Sequence, residues 1–415
     1  MSLRLPPRGE EGVFLPQSKG YAKTKARNDL DTTFLRAAME SATRRASNTA
    51  KTVGLAKRMM MGDQTTIVRS IKGLQVHFCD GGFLIGSVGM SLRASRDGGT
   101  TWQKIASIPT SFVGGFVGRC TLMQRFFRSG VGAVLPHDTE KGTWVVLAER
   151  KLFLMKVEDG SVTPFWSVLR GRRPLRRGLC VVGDYVFAGD YFSNSDRCPV
   201  RIYRISITTG VCDVLFEFPS GSTRHVHFVI YDQISGKLLV GTGDDDGECL
   251  IGTICPETGC AEWVGTGSQD WRAVSLAITD DAFYWGTDNH LGHNRIWKLK
   301  RGERSPVLVG DVTGPVYYNS LLDNGIAFGT TVEKGEGEQD EFGRLYFVDA
   351  DDRIRLIAKR KKDCWSPKYF GYGVAEFAEG CVDGRSLWVT WKGFCGGTRS
   401  DLIRPQSTDE SESVV

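Results

Sequence analysis

Fifty of the 415 residues are Gly, against roughly 29 at average usage, with 41% hydrophobic residues, 10% aromatic residues and a formal net charge of +5. The glycines are spread along the chain, which excludes collagen, and the apolar content excludes wholesale disorder. No run approaches the ~18 to 20 apolar residues that cross a bilayer, and the eleven irregularly spaced Cys read as reduced thiols, so a cytoplasmic protein is expected.

Residues 1–62 are a basic, partly helical extension, with twelve Lys or Arg against five Asp or Glu. Its Ala-, Arg- and Met-rich stretches, 30–45 and 51–61, predict one or two short helices, with Asp29 and Asp31 placed to cap the first. Such an arm either offers its charge to an acidic or anionic partner or straps the main domain. It lacks the interleaved aromatics of a single-strand binder, so nucleic acid is not the expected partner. At the other end, residues 406–415 read as an acidic, disordered tail.

Residues 63–405 carry the fold. Scattered Gly with many aromatic residues suits an all-β chain, where each tight turn favours a residue without a Cβ. Short apolar strands ending in Gly or a small residue recur every ~50 residues, at 83–87, 144–148, 185–189, 238–242, 283–287, 326–330 and 387–391. A basic residue followed by alternating apolar ones comes after several of them, at 151–155, 201–205, 295–299 and 344–348. Further apolar runs precede them, as at 226–231 and 273–278. Four antiparallel strands repeated at this spacing predict a β-propeller, with seven blades and six as the alternative. Residues 66–71 are placed to supply the last blade's outer strand and close the ring.

Ser95-Arg-Asp97-Gly-Gly99-Thr-Thr101-Trp102 lies between the third and fourth strands of the first repeat. It matches without gaps the Asp-box of the neuraminidase repeat, Ser-x-Asp-x-Gly-x-Thr-Trp, and degenerate versions stand at 257–259 and 158–160. With the blade period, the chain resembles the sialidase-like superfamily of Asp-box propellers. That resemblance implies a structural role for Ser95, Asp97, Gly99, Thr101 and Trp102, with a site on the opposite face. Sialidases use an arginine triad, a Tyr–Glu pair and an Asp; here the first repeat has no Arg-Ile-Pro motif and no third Arg is assigned.

On the face opposite the box, strand starts and second-to-third-strand loops bring together polar residues that can do chemistry. Four of the six His fall there, on two adjacent repeats. Three readings follow. In glycoside cleavage on an acidic polysaccharide or glycoconjugate, Asp244 or Asp288 is the acid/base, while Tyr317 or Glu376 is the nucleophile or its activator. Arg224 and Arg272 clamp a carboxylate, and His225, Tyr191 and Trp271 complete the binding surface. In a metal-dependent polysaccharide lyase, His225 and His227 share one side of a strand and Asp244, Asp288 or His290 completes a divalent-metal shell, with His227 and His290 the named ligands. In the third reading the propeller binds glycan or protein without catalysis. No phosphate loop, dinucleotide fingerprint, His-Glu-x-x-His or Gly-x-Ser-x-Gly elbow is present.

Overall fold

The computed structural model describes residues 65–109, 121–336, 338 and 340–406. The predicted basic extension and all but the first residue of the predicted acidic tail lie outside them.

The chain folds as an all-β propeller. Among the described residues its strands group into seven four-stranded antiparallel units, at residues 75–107, 131–167, 179–218, 225–266, 277–312, 316–361 and 373–405; residues 331–332 pair with 373–374 and join the last two, and 379–381 add a parallel strand to the first. The seventh unit takes its outermost strand, β1 (Thr65–Lys72), from the start of the described chain, where Thr65 stands opposite Pro405 and Lys72 opposite Arg399. This is the closing strand expected at 66–71. All seven recurrent apolar strands predicted from the sequence are second strands of these units, with ends shifted by at most two residues. The expected run 273–278 is shorter than predicted. Only Ala277–Ile278 joins a ladder; before it, the Ser275 hydroxyl accepts from Asn319 Nδ2 at 2.7 Å, and the backbone carbonyl of Arg272 accepts the N–H of Asp288.

The core lies between units. Phe187, Val200 and Ile202 of the third unit pack against Val226, Val229 and Leu238 of the fourth, all buried. A fully buried side chain of this kind contributes about 1.5–3 kcal/mol, so each unit is stabilised chiefly by its neighbours. This explains the recurrent Gly at the ends of the second strands. A Cβ on Gly189 would lie 2.5 Å from Val226 Cβ, and one on Gly286 equally close to Val316 Cβ. The missing side chain lets the next unit's first strand come in.

A second regularity lies at the opposite edge. In the first six units the pairing of third and fourth strands slips at the same place, leaving an apolar residue of the fourth strand as the bulge, among them Ile105, Phe165 and Leu215. The hairpin glycines of the second, third and fourth units, Gly160, Gly210 and Gly259, sit at positive φ on the carbonyls of Ile105, Phe165 and Leu215 in the unit before. A Cβ there would come within 2.6 Å of the oxygen, so these turns require glycine for space as well as conformation. The 95–102 turn is held internally. Ser95 Oγ accepts the Gly99 N–H at 2.8 Å, the Asp97 carboxylate accepts the N–H groups of Thr100 and Thr101, and Trp102 Nε1 donates to Gly99 O at 3.1 Å.

The ten described cysteines are all free. No helix among the described residues is long and apolar enough to cross a membrane.

Candidate functional site

Two backbone features aim side chains at the centre of one face. The first is a β-bulge near the start of the first strand. In the first, second, fourth and sixth units one residue there has no partner on the second strand: His77, Gly132, His227 and Tyr317. Bulges redirect a side chain that a regular ladder would hold in the pleat. The second feature is the end of the second strand, after which the chain presents Asp244, Asp288 and Glu333 on successive units. Threonines just before them tie down the loops that follow: Thr287 Oγ1 and Thr330 Oγ1 accept the N–H groups of Arg295 and Arg344, both at 2.9 Å.

The side chains meet in one cluster. Asp244 Oδ1 lies 3.3 Å from His227 Nε2, 3.5 Å from His225 Nε2 and 3.3 Å from an Arg272 guanidinium nitrogen. Arg272 is also 3.3 Å from Asp288 Oδ2 and bridges the two carboxylates. Burial works against the guanidinium's charge, but Asp288 and Asp244 outweigh it and raise the Arg272 pKa. Burial would raise the Asp244 carboxyl too; the imidazoles of His225 and His227 more than offset this and hold it well below the carboxylate range. Asp288, 4% exposed, is pushed well above its ordinary value by burial, against the pull of Arg272. Its Oδ1 has no hydrogen-bond partner among the described residues.

Glu333 continues the cluster. Burial raises its carboxyl, partly opposed by the hydrogen bond it receives from the Tyr317 hydroxyl. Burial and the Glu333 charge together push the Tyr317 phenol well up. The result is a buried acid–tyrosine pair beside an Arg-bridged pair of aspartates.

Next to this cluster opens a cavity of about 970 Å³, at the upper end of the ~300–1,000 Å³ range of ligand sites. Tyr191, Tyr317 and Tyr372 line it. Its walls carry Arg125, Arg128, Arg150, Arg172, Arg173, Arg176 and Lys392, against only Glu149 and Glu376. Glu376 is spent internally: Lys392 at 2.9 Å and Gln75 at 2.6 Å bond it, and Arg176 lies 3.7 Å away. Arg173 hydrogen-bonds the backbone carbonyl of Gly130, at 2.9 Å, and among the described residues neither Arg172 nor Arg173 is within ion-pair distance of a carboxylate. Two short helices from separate linkers border the cavity, α1 (Thr121–Phe127) and α2 (Pro367–Phe370), joined by the Arg125–Asp363 ion pair and by Phe126 against Phe370. A second pocket of about 320 Å³ is lined by Arg172, Tyr191, Arg224, His225 and Asp244 among others.

The expected site residues divide accordingly. Asp244, Asp288, Arg272, His225, His227 and Tyr317 come together, with Tyr191 against the His225 ring at 4.4 Å. Arg224 is tied to Asp244 and Asp245. Glu376 stands in the separate Lys392 and Arg176 network, and Tyr317 is partnered by Glu333 instead. Trp271 stacks on Trp285 at 5.3 Å and is packed with the core of its unit. His290 lies 3.3 Å from Arg272, apart from the group formed by His225, His227 and Asp244. Sequence reasoning missed Glu333 and the arginines at 172, 173 and 176. Glu333 had a weak signal: it lies just beyond the sixth recurrent strand, four residues after its Gly329, where Asp288 comes two residues after Gly286. The arginines precede a first strand in a linker, and no pattern marked them.

No family model matches the chain, and no curated protein matches it in sequence. Solved structures match its fold. A chain of the mitotic checkpoint complex superposes with a TM-score of 0.51 at 10% identity, over 85% of this chain and 94% of that one. The extracellular domain of a putative hybrid two-component system from B. thetaiotaomicron gives 0.51 at 10% identity, over 83% of this chain and 40% of that one. The fold is shared. At such identities nothing more than the fold carries over.

Proposed function

We propose that this is a sialidase-like propeller that binds an acidic glycan in the central cavity and cleaves it at Tyr317. The observation that carries the reading is the cavity's charge: seven cationic side chains against two carboxylates, with Tyr317 in its wall and Glu333 behind it. Arg172 and Arg173, neither in a close ion pair with a carboxylate, bind the glycan's acid groups. Arg224 and Arg272, expected in that role, instead position Asp244 and Asp288. Tyr317 attacks the anomeric carbon as its proton passes to Glu333, whose burial-raised carboxyl is a stronger base than a solvated one. Asp288, whose carboxyl burial raises well above its ordinary value, supplies the proton to the leaving oxygen. Water, giving its proton to Asp288, then releases the sugar from Tyr317, and Glu333 returns its proton to the departing phenolate.

The 4% exposure of Asp288 favours a second reading, in which the cluster only braces the loops and the cavity binds glycan without cleaving it. One experiment separates the two. The full chain is incubated with sialate-containing, uronate-containing and neutral glycans, with retention, new reducing ends and unsaturated-uronate absorbance all recorded. Cleavage predicts new reducing ends from an acidic glycan, abolished by Tyr317→Phe while retention persists. Retention without products leaves the binder, and unsaturated products would replace hydrolysis with elimination. Equal retention of neutral and acidic glycans would overturn the reading altogether.

A further inference from the structure

The first strand of the fourth unit aims two imidazoles at one carboxylate oxygen. His225 Nε2 and His227 Nε2 lie 3.1 Å apart, and Asp244 Oδ1 is 3.5 Å from the first and 3.3 Å from the second. Each ring has its other nitrogen on a backbone carbonyl: His225 Nδ1 on Phe192 O and His227 Nδ1 on Ala273 O, both at 3.0 Å. A carbonyl only accepts, so each Nδ1 carries a proton, and in the neutral ring each Nε2 presents a lone pair. In that form three acceptor atoms converge on one point.

We propose that His225, His227 and Asp244 bind a divalent transition-metal ion of the Zn²⁺ class. The circle through the three atoms has a radius of about 1.9 Å, so an ion slightly off their plane reaches all of them at the ~2.0–2.2 Å of zinc–nitrogen and zinc–oxygen bonds. Nδ1–H on a carbonyl is also what fixes the tautomer and orientation of metal-binding imidazoles. Arg272 shares Asp244 Oδ1 at 3.3 Å and Arg224 takes Oδ2 at 3.1 Å. A carboxylate oxygen has two lone pairs, so these ion pairs and the metal are compatible. Three protein ligands leave a tetrahedral ion one open position. His225 and Asp244 both line the 320 Å³ pocket, which gives that position access to water or to a ligand carboxylate. The β-bulge that leaves His227 unpaired in the ladder brings the second ligand into place.

The inference stands apart from glycan cleavage, because the ion is assayed alone. The full chain is stripped with a chelator and titrated with Co²⁺ and then Zn²⁺. The expected result is one ion per chain, with the visible absorption of four-coordinate Co²⁺ displaced by Zn²⁺. His225→Ala and His227→Ala should each weaken binding at least ~10-fold, while His293→Ala, exposed and outside the group, leaves it unchanged. Since a buried imidazole also supports its strand, the unmutated chain is read too, by the shift of its imidazole ¹⁵N signals on adding Zn²⁺. An unmutated chain that takes up no ion, or a His225→Ala/His227→Ala double variant that binds as before, overturns the site.

Discussion

Gly286→Ala tests how the units lock together. The added Cβ would stand 2.5 Å from both Val316 Cβ and Cγ1 and 2.6 Å from Cγ2. The atoms in the way sit on the stem of a buried β-branched side chain, so the sixth unit's first strand must move as a body. Overpacking of this kind costs about 1–3 kcal/mol, partly offset by the ~0.4–1 kcal/mol that Ala gains over Gly by restricting the unfolded chain. The expected net loss is therefore about 1–2 kcal/mol, read as a lower denaturant midpoint with an unchanged slope. Gly82→Ala is the matched control: its Cβ would meet nothing closer than 3.5 Å, at an ordinary φ, and it should be neutral or slightly stabilising. Val316→Ala in the Gly286→Ala background should recover part of the loss, because the two γ-carbons go but the β-carbon stays. If Gly286→Ala is as stable as Gly82→Ala, the recurrent glycines are not there to admit the neighbouring strand and the packing argument fails.

Other expectations follow from the site and the ring. If Glu333 takes the Tyr317 proton it must be ionised to work. Its raised pKa then puts the acid limb of kcat/KM above the ordinary 4.5, with activity falling as pH drops through it, and Glu333→Gln should remove both limb and activity. Arg173→Met should weaken retention of acidic glycans ~10- to 100-fold, the ~1.5–3 kcal/mol of a hydrogen bond to a charged group, and leave neutral glycans unaffected in the same assay. Asp401, fully buried, holds Arg360 at 2.6 Å and Arg399 at 2.8 Å in the ring-closing unit. Asp401→Ala should cost about 3–5 kcal/mol in denaturant unfolding, because it removes the buried anion from both guanidiniums.

The repeat was legible because its causes are local. The 95–102 turn closes on itself, and the glycine at the end of a second strand answers to the first strand of the very next unit, so the same residue types recur at one spacing. The position of β1 was legible too, since an apolar strand left over before the first repeat has one vacancy to fill. The site was legible in part. Strand starts and strand ends on one face named Asp244, Asp288, His225 and His227, and the bulge that turns His227 inward left no trace in the residue types. Glu376 shows the limit: nothing in its own strand reveals that Lys392, Gln75 and Arg176, drawn from three separate segments, converge on it. Ion pairs are chosen by three-dimensional neighbours, and a linear pattern records only candidates.

Because Thr65 stands opposite Pro405 in the antiparallel register, the first and last strands of the ring share one seam. A short linker across that seam would make the ring continuous, and new termini could be cut into an exposed hairpin such as 158–160, with every strand keeping its partners. In such a permutant the sheet now stitched together from both ends would be built from one unbroken stretch of chain, while another unit would inherit the seam. Comparing the unfolding of the two molecules would measure what the junction itself contributes to holding the circle shut.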